Sequence, residues 1–140
     1  MSDATGNETG LRRVVFLCTE NANRSQMAEG FARRHGDGVL EAWSAGSAAS
    51  GTVNPKAVAS MAEIGVDLAS HRSTTTDDLP EGPFDAVITM GCGDQCPWVA
   101  GHHREDWGLD DPKHMPPEEY AKVRDEIERR VLDLVAQLRD

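Results

Sequence analysis

The stretch that decides the fold is Val14-Val15-Phe16-Leu17-Cys18-Thr19-Glu20-Asn21-Ala22-Asn23-Arg24-Ser25-Gln26-Met27-Ala28-Glu29. Its first four residues are apolar and favour a buried β-strand that ends at Cys18. A short polar loop follows, and helix-forming residues begin at Ser25. We therefore expect the Cys18 thiol where the carboxyl end of a strand meets the amino end of a helix, a position that favours anions.

The same stretch carries the groups that activate a cysteine nucleophile. Helix N-terminal amides and a nearby cation can lower the pKa of a cysteine thiol from about 8.5 to about 3.5–7.5. Arg24 supplies the cation, and five intervening residues allow the loop to curl so that backbone N–H groups and the guanidinium surround an oxyanion. The Ser25 hydroxyl is placed to hydrogen-bond the thiolate. Asn21 tolerates the left-handed backbone conformation that such a tight loop usually needs.

The pattern Cys18-x5-Arg24-Ser25 after an N-terminal strand, continued by 26–29, resembles the low-molecular-weight tyrosine phosphatase superfamily and, within it, the arsenate reductase branch. The resemblance implies a small doubly wound, three-layer α/β domain with a four-stranded parallel sheet and a phosphatase-type loop after the first strand. It also implies that the loop holds an arsenate or phosphate oxyanion. The residues predicted to bind the oxyanion are Thr19, Glu20, Asn21, Ala22, Asn23 and Arg24.

The rest of the chain alternates strands and helices. Strands are predicted at 11–18, 39–46 and 84–90, and a short fourth strand at 105–112 that delivers a loop. Helices are predicted at 25–35, from Asn54-Pro55 to Gly65, and from Pro116-Pro117 onward. Right-handed crossovers between parallel strands then give a single domain over 11–140, with the site at the strand carboxyl ends.

Composition limits the partners and the compartment. Lys and Arg number 14 and Asp and Glu 24, so the net charge of −10 repels nucleic acids and anionic membranes. Residues 1–10 are polar and aperiodic, which predicts a disordered tail rather than a signal peptide, and no run is long enough to span a membrane. We expect a cytoplasmic monomer without nucleic-acid or membrane partners.

An Asp-Pro pair supplies the second chemical element. In the family that the sequence resembles, such a loop carries the general acid, so the resemblance implies that Asp111 protonates the leaving oxygen. A carboxyl group opposite the thiolate is where that proton is needed. Asp110 is the neighbouring alternative.

Two further cysteines supply the third element. Three cysteines in a chain without a signal peptide favour catalytic, redox or metal-binding roles. Cys92 and Cys96 follow a strand that lies beside strand one in this fold, so either could reach an adduct on Cys18. The resemblance implies a relay in which Cys92 attacks first and the Cys92–Cys96 pair is passed to an external reductant, thioredoxin-like or a low-molecular-weight thiol of the mycothiol type. No tightly bound cofactor is expected.

Other functions remain open for these cysteines. With His102 or His103 they could hold zinc, although no second Cys pair supports this. They could also be inert loop thiols in a phosphatase.

Two alternative functions remain open for the chain as a whole. The first is a phosphotyrosine phosphatase, which usually places tyrosines after the Asp-Pro pair, where this chain has Lys113 and His114; Trp98 and Trp107 are the candidate replacements for stacking. The second is a weakly active oxyanion-binding regulatory protein. It is favoured by Glu20, which puts a carboxylate where the family usually has glycine.

A cation site is the last hypothesis from the sequence. Asn21, Glu29, Ser44 and Asp67 match positions that bind potassium in some arsenate reductases, although Glu29 and Asp67 could simply pair with arginines. His71 is expected to be a structural hydrogen-bonding residue.

Overall fold

The computed structural model describes residues 10–93 and 96–139. Its sheet has four parallel strands in the order β2-β1-β3-β4. They are β1 (Arg12–Cys18), β2 (Leu40–Gly46), β3 (Phe84–Thr89) and β4 (Gly101–Asp106). The predicted four-stranded parallel α/β fold is confirmed. Residues 1–9 of the predicted tail lie outside the described residues.

Within the described ranges, three α-helices accompany the sheet: α1 (Arg24–His35), α2 (Pro55–Ala62) and α3 (Pro117–Arg139). Asn54 caps α2 through a side-chain oxygen that accepts a hydrogen bond from the Lys56 backbone N–H, and Pro55 occupies the first position. α1 begins one residue before the predicted start, so Arg24 already belongs to the helix. Each helix in the described residues is too short or too polar for a transmembrane segment.

The position of β4 differs from the prediction. The sequence pattern places the fourth strand at 105–112, whereas β4 spans Gly101–Asp106 and the following residues form a loop. β4 lies at the sheet edge and most of its side chains are exposed. Its sequence, Gly-His-His-Arg-Glu-Asp, therefore lacks the apolar pattern by which buried strands are recognised.

The two faces of the sheet pack against different partners. Val14 and Phe16 of β1 face the larger core, which contains residues of all three α-helices. Val15 and Leu17 face a smaller core, whose outer cover includes Leu79 and neighbouring loops. The third layer of the described residues thus consists of loops and a 3₁₀ turn at Thr76–Asp78, not of an α-helix. Because β1 is flanked by β2 and β3, its carboxyl end lies in the middle of the sheet, where doubly wound folds place their ligand sites.

Candidate active site

Cys18 ends β1 and is only 3% exposed. Its Sγ atom accepts a hydrogen bond from the Asn21 backbone N–H at 3.2 Å, and the Ser25 Oγ atom lies 2.9 Å away. The Asn21 N–H thus donates to the sulfur, and in the second contact either the Ser25 hydroxyl or the Cys18 thiol is the donor. The structure thus places Ser25 where the sequence predicts it.

Asn21 holds the loop in shape from within. It has φ of 53°, the left-handed conformation expected for this position. Its Nδ2 group donates to Ser25 Oγ at 2.7 Å. Its Oδ1 atom accepts from the Thr74 backbone N–H at 2.8 Å and from Gln26 Nε2 at 3.0 Å. The loop geometry is therefore fixed before any substrate arrives.

Gln26 and His71 extend this network away from the thiol. Gln26 Nε2 also reaches the Asn21 backbone oxygen at 3.1 Å and the Arg72 carbonyl at 2.9 Å, and Gln26 Oε1 lies 3.1 Å from His71 Nδ1. Burial lowers the pKa of His71, against the opposing charge of Glu29. This arrangement supports the structural role expected for His71.

Arg24 is buried beneath the loop, with 7% of its surface exposed. Its Nη1 group donates to the Met90 carbonyl at 2.7 Å and to the Leu109 carbonyl at 2.8 Å. These carbonyls follow β3 and β4 respectively. The guanidinium is thus held near the carboxyl ends of the strands and does not point into solvent.

A cavity of about 180 Å³ opens above these groups. Asp111 lines it together with Cys18 and Arg24, so the sequence-predicted acid, nucleophile and cation share one cavity. The Asp111 carboxylate caps a 3₁₀ turn (Pro112–His114) by accepting from the Lys113 backbone N–H at 3.1 Å. Four further residues line the cavity: Thr19, Glu20, Ala22 and Asn23. Neither Asn21 nor Asp110 lines the cavity; Asn21 is hydrogen-bonded to Ser25 instead.

The Glu20 carboxylate is not free, although the sequence shows only an acidic residue on an anion loop. Its Oε2 atom accepts a hydrogen bond from Lys113 Nζ at 2.9 Å. Hydrogen bonding and the charge of Glu20 raise the pKa of Lys113. The Lys113 ammonium group therefore offsets the negative charge by which Glu20 is expected to weaken the anion site.

Asn23 is fixed from the opposite side by α3. The Tyr120 hydroxyl donates to Asn23 Oδ1 at 2.7 Å, and both residues are buried. Burial, with the nearby charge of Asp111 as a second cause, raises the pKa of Tyr120. The hydroxyl therefore remains a donor at neutral pH.

The two remaining cysteines are joined to each other while Cys18 is a free thiol. The Cα atoms of Cys92 and Cys96 are 5.2 Å apart. Cys92 Sγ lies 3.8 Å from the Leu17 carbonyl, one residue before Cys18 along β1. The redox pair thus lies beside the strand that carries the predicted nucleophile.

Two sequence alternatives do not fit this geometry. Both cysteine sulfurs are used in the disulfide, and the described residues contain no group of three or more His, Cys, Asp or Glu side chains that could hold a metal ion. His103 instead pairs with Glu105 at 2.7 Å. Trp107 is buried with its ring 5.8 Å from that of Phe16, so it is a core residue and cannot stack on a substrate. Trp98 is 77% exposed but does not line the Cys18 cavity.

The four residues of the potassium hypothesis are only partly brought together. Ser44 Oγ donates to Glu29 Oε1 at 2.6 Å, and the other Glu29 oxygen pairs with Arg33 at 2.7 Å. Asp67 accepts from the Ala69 backbone N–H instead. Glu29 thus has the arginine partner that the sequence analysis left open, and potassium binding stays a prediction.

Comparison with known proteins decides the family. The profile described as low molecular weight phosphotyrosine protein phosphatase matches residues 13–140. The chain belongs to this family. A family relative from Synechocystis sp. named glutaredoxin arsenate reductase is 37% identical over 131 residues, which cover 91% of this chain and 99% of that protein.

Solved structures of the family agree with this placement. One described as an arsenate reductase in the phosphate binding state matches with a TM-score of 0.82 and 36% identity, over 91% of this chain and 99% of the other. The Corynebacterium glutamicum thioredoxin-dependent arsenate reductase matches with a TM-score of 0.75 and 30% identity, over 94% of this chain and 63% of the other.

Three residues of this phosphatase-family site were missed or undervalued in the sequence. In the sequence, Lys113 stands out only because an aromatic residue is missing there, and no motif assigns Gln26 or Tyr120 to the site. Tyr120 is the chain's single tyrosine and lies within the long amphipathic helix α3, a signal that could have marked it as a buried polar contact.

Proposed function

We propose that this chain reduces arsenate to arsenite with Cys18 as nucleophile and Cys92 and Cys96 as electron donors. The observation that carries the proposal is the pairing state of the cysteines: Cys18 is free and Cys92 is bonded to Cys96. This is the state that a three-cysteine relay would reach after one turnover. Relatives named arsenate reductase support the same assignment.

The first half of the reaction uses the cavity. The Cys18 thiolate attacks the arsenic atom of arsenate, a sulfur–arsenic bond forms, and one oxygen leaves as water with a proton from Asp111. Arg24 and the backbone N–H groups of the loop stabilise the negative charge on the remaining oxygens. The cavity of about 180 Å³ is below the roughly 300–1,000 Å³ of pockets for drug-sized ligands, which supports a compact inorganic oxyanion.

The second half uses the redox pair. The Cys92 thiolate attacks Cys18 Sγ, the arsenic–sulfur bond breaks, and arsenite departs with the bonding electron pair. Cys96 then attacks Cys92, so that Cys18 is released as a thiolate and the Cys92–Cys96 disulfide remains. The position of Cys92 beside the Leu17 carbonyl supports Cys92 as the first attacker.

An external thiol must return two electrons to the disulfide. Both cysteines are partly exposed, and Trp98, two residues after Cys96, is the most exposed large apolar side chain in the described residues. Aromatic side chains are frequent anchors of protein interfaces. These features support a thioredoxin- or glutaredoxin-like protein dithiol over a low-molecular-weight thiol, in keeping with the names of the Synechocystis and Corynebacterium glutamicum relatives.

Single-turnover chemistry with thiol trapping tests the relay. Reduced protein is mixed with arsenate without added thiol, alkylated, and analysed by mass spectrometry and arsenite assay. Wild type should release about one equivalent of arsenite and accumulate the Cys92–Cys96 disulfide. Cys96→Ser should release arsenite and stop at a Cys18–Cys92 disulfide, whereas Cys92→Ser should release none. Arsenite release by Cys92→Ser at the wild-type rate would contradict the relay.

Phosphomonoester hydrolysis is the second candidate, because Cys18, Arg24 and Asp111 are also the groups that a phosphatase needs. Among the described residues, no aromatic side chain lines the cavity to stack on a phenyl ring. We therefore expect p-nitrophenyl phosphate to be a poor substrate. Efficient hydrolysis of this ester together with no arsenite production would favour the phosphatase. Background rates with both substrates would favour the oxyanion-binding regulatory protein.

A further inference from the structure

Glu20 and Lys113 connect the two walls of the Cys18 cavity. Glu20 lies on the loop between β1 and α1 and lines the cavity, whereas Lys113 lies in the turn that follows Asp111. Their side chains are both 40% exposed and meet at 2.9 Å. An exposed ion pair of this kind contributes little to the free energy of unfolding, so stability is a weak reason for its presence.

The position of Glu20 is unfavourable for an anion site unless its charge is compensated. An unpaired carboxylate on the cavity wall repels a doubly charged oxyanion, and like charges at close range reduce affinity strongly. Lys113 places an ammonium group directly on this carboxylate. The pair is close to neutral as seen from the cavity, which leaves the positive charge of Arg24 available to the anion.

Lys113 is itself held in place by contacts that do not involve its charge. Its backbone N–H donates to Asp111 Oδ1 at 3.1 Å, and its carbonyl accepts from Lys56 Nζ at 3.0 Å. Lys56 also reaches the Met115 carbonyl at 3.3 Å. The turn is thus held by Lys56 from α2, while the Lys113 side chain reaches back to Glu20.

We propose that Lys113 is a positioning residue for oxyanion binding, which neutralises Glu20 and joins the nucleophile loop to the Asp111 turn. The proposal rests on the proposed oxyanion chemistry at Cys18 and adds to it the residue that keeps the cavity receptive to anions. Lys113 is not a catalytic residue in this proposal, since it acts through Glu20 and the Asp111 turn.

A double-mutant cycle that removes each charge in turn tests this role, with inorganic phosphate as the probe. The variants are Lys113→Met, Glu20→Gln and the double variant Glu20→Gln/Lys113→Met, and phosphate affinity is measured by isothermal titration calorimetry at low ionic strength. Lys113→Met should weaken phosphate binding about tenfold, because it leaves the Glu20 carboxylate unpaired. The double variant should bind within about twofold of wild type, because the repelling charge is gone.

Four further measurements separate the effect of the charge from an effect on the fold. Lys56→Met also removes one positive charge, together with the hydrogen bonds that Lys56 donates to the turn. It should change phosphate affinity less than twofold. Lys113→Arg should keep the affinity. At about 1 M salt, where the screening length falls to about 3 Å, the deficit of Lys113→Met should shrink to less than about threefold. In arsenate turnover, Lys113→Met should raise KM more than it lowers kcat.

Several outcomes would overturn the inference. Equal weakening in Lys113→Met and the double variant would mean that Glu20 is not what Lys113 compensates. Equal weakening in Lys113→Met and Lys56→Met would mean that only the turn matters. Wild type that binds no phosphate would overturn both the inference and the proposed function, whereas phosphate binding with the expected variant pattern but no arsenite production would overturn the proposed function alone.

Discussion

At Asn21, the contributions of backbone conformation and of side-chain hydrogen bonds to the free energy of unfolding can be measured separately. Its φ of 53° disfavours residues with a Cβ atom other than Asn or Asp, at about 1 kcal/mol or more for Ala relative to Gly. Its amide group makes three hydrogen bonds, with Ser25, Thr74 and Gln26. Each contributes about 1 kcal/mol net to the free energy of unfolding. We expect Asn21→Gly to lose about 3 kcal/mol and Asn21→Ala about 4 kcal/mol.

Urea denaturation followed by tryptophan fluorescence measures these differences, with equal m-values as the check that only stability has changed. Asn54→Gly is the matched control, because Asn54 also accepts a backbone hydrogen bond but lies at the start of α2, where glycine replaces a capping residue at a few tenths of a kcal/mol. The reasoning is refuted if Asn21→Gly costs less than about 1 kcal/mol. It also fails if Asn21→Ala is as stable as Asn21→Gly.

Three other expectations follow from described contacts. Tyr120→Phe leaves the buried Asn23 oxygen without its donor and should lower the free energy of unfolding by about 1–2 kcal/mol in urea titrations; an unchanged midpoint would contradict this contact. Trp98→Ala should raise KM for a protein dithiol several-fold but leave turnover with dithiothreitol unchanged. Leu132→Ala, at the other exposed large apolar residue of the described part of the chain, should change neither. Equal losses with both reductants would argue against docking at Trp98. Burial lowers the pKa of His71 below 6.5, so the unfolded state binds more protons than the folded state just below that pH, and the free energy of unfolding should fall as pH drops below about 6.5. His71→Gln should flatten this pH dependence in denaturation experiments at pH 5–7. An unchanged slope would exclude His71 as its source.

The sequence predicts the centre of this molecule well because the relevant signals are local. An apolar run, a cysteine, a polar loop and a helix start follow each other within 16 residues, and their order determines where Cys18 and Ser25 meet. The left-handed conformation of Asn21 also follows from local chemistry, since few residue types accept it. The Asp-Pro turn could be placed by resemblance, and the structure brings Asp111 to the same cavity.

Other features depend on contacts between distant parts of the chain. Lys113 and Glu20 are 93 residues apart, and Tyr120 and Asn23 are 97 apart, so no periodicity links them. The sequence pattern places the fourth strand too late in the chain, at 105–112, because the exposed polar side chains of β4 carry no apolar alternation. Hydropathy identifies strands by what they bury, and an edge strand with solvent on its side chains gives little of that signal.

Arg24 donates hydrogen bonds to two backbone carbonyls that belong to different loops, those of Met90 and Leu109. Met90 directly precedes the loop of the redox cysteines, and Leu109 directly precedes the two aspartates of the acid turn. The roots of these loops also touch, since a Cβ atom at Gly91 would come within 2.9 Å of the Leu109 backbone nitrogen. One guanidinium therefore ties the base of the cysteine loop to the base of the Asp110–Asp111 turn. We therefore expect a displacement of the cysteine loop to strain the hydrogen bonds that position the turn carrying Asp111, the predicted acid.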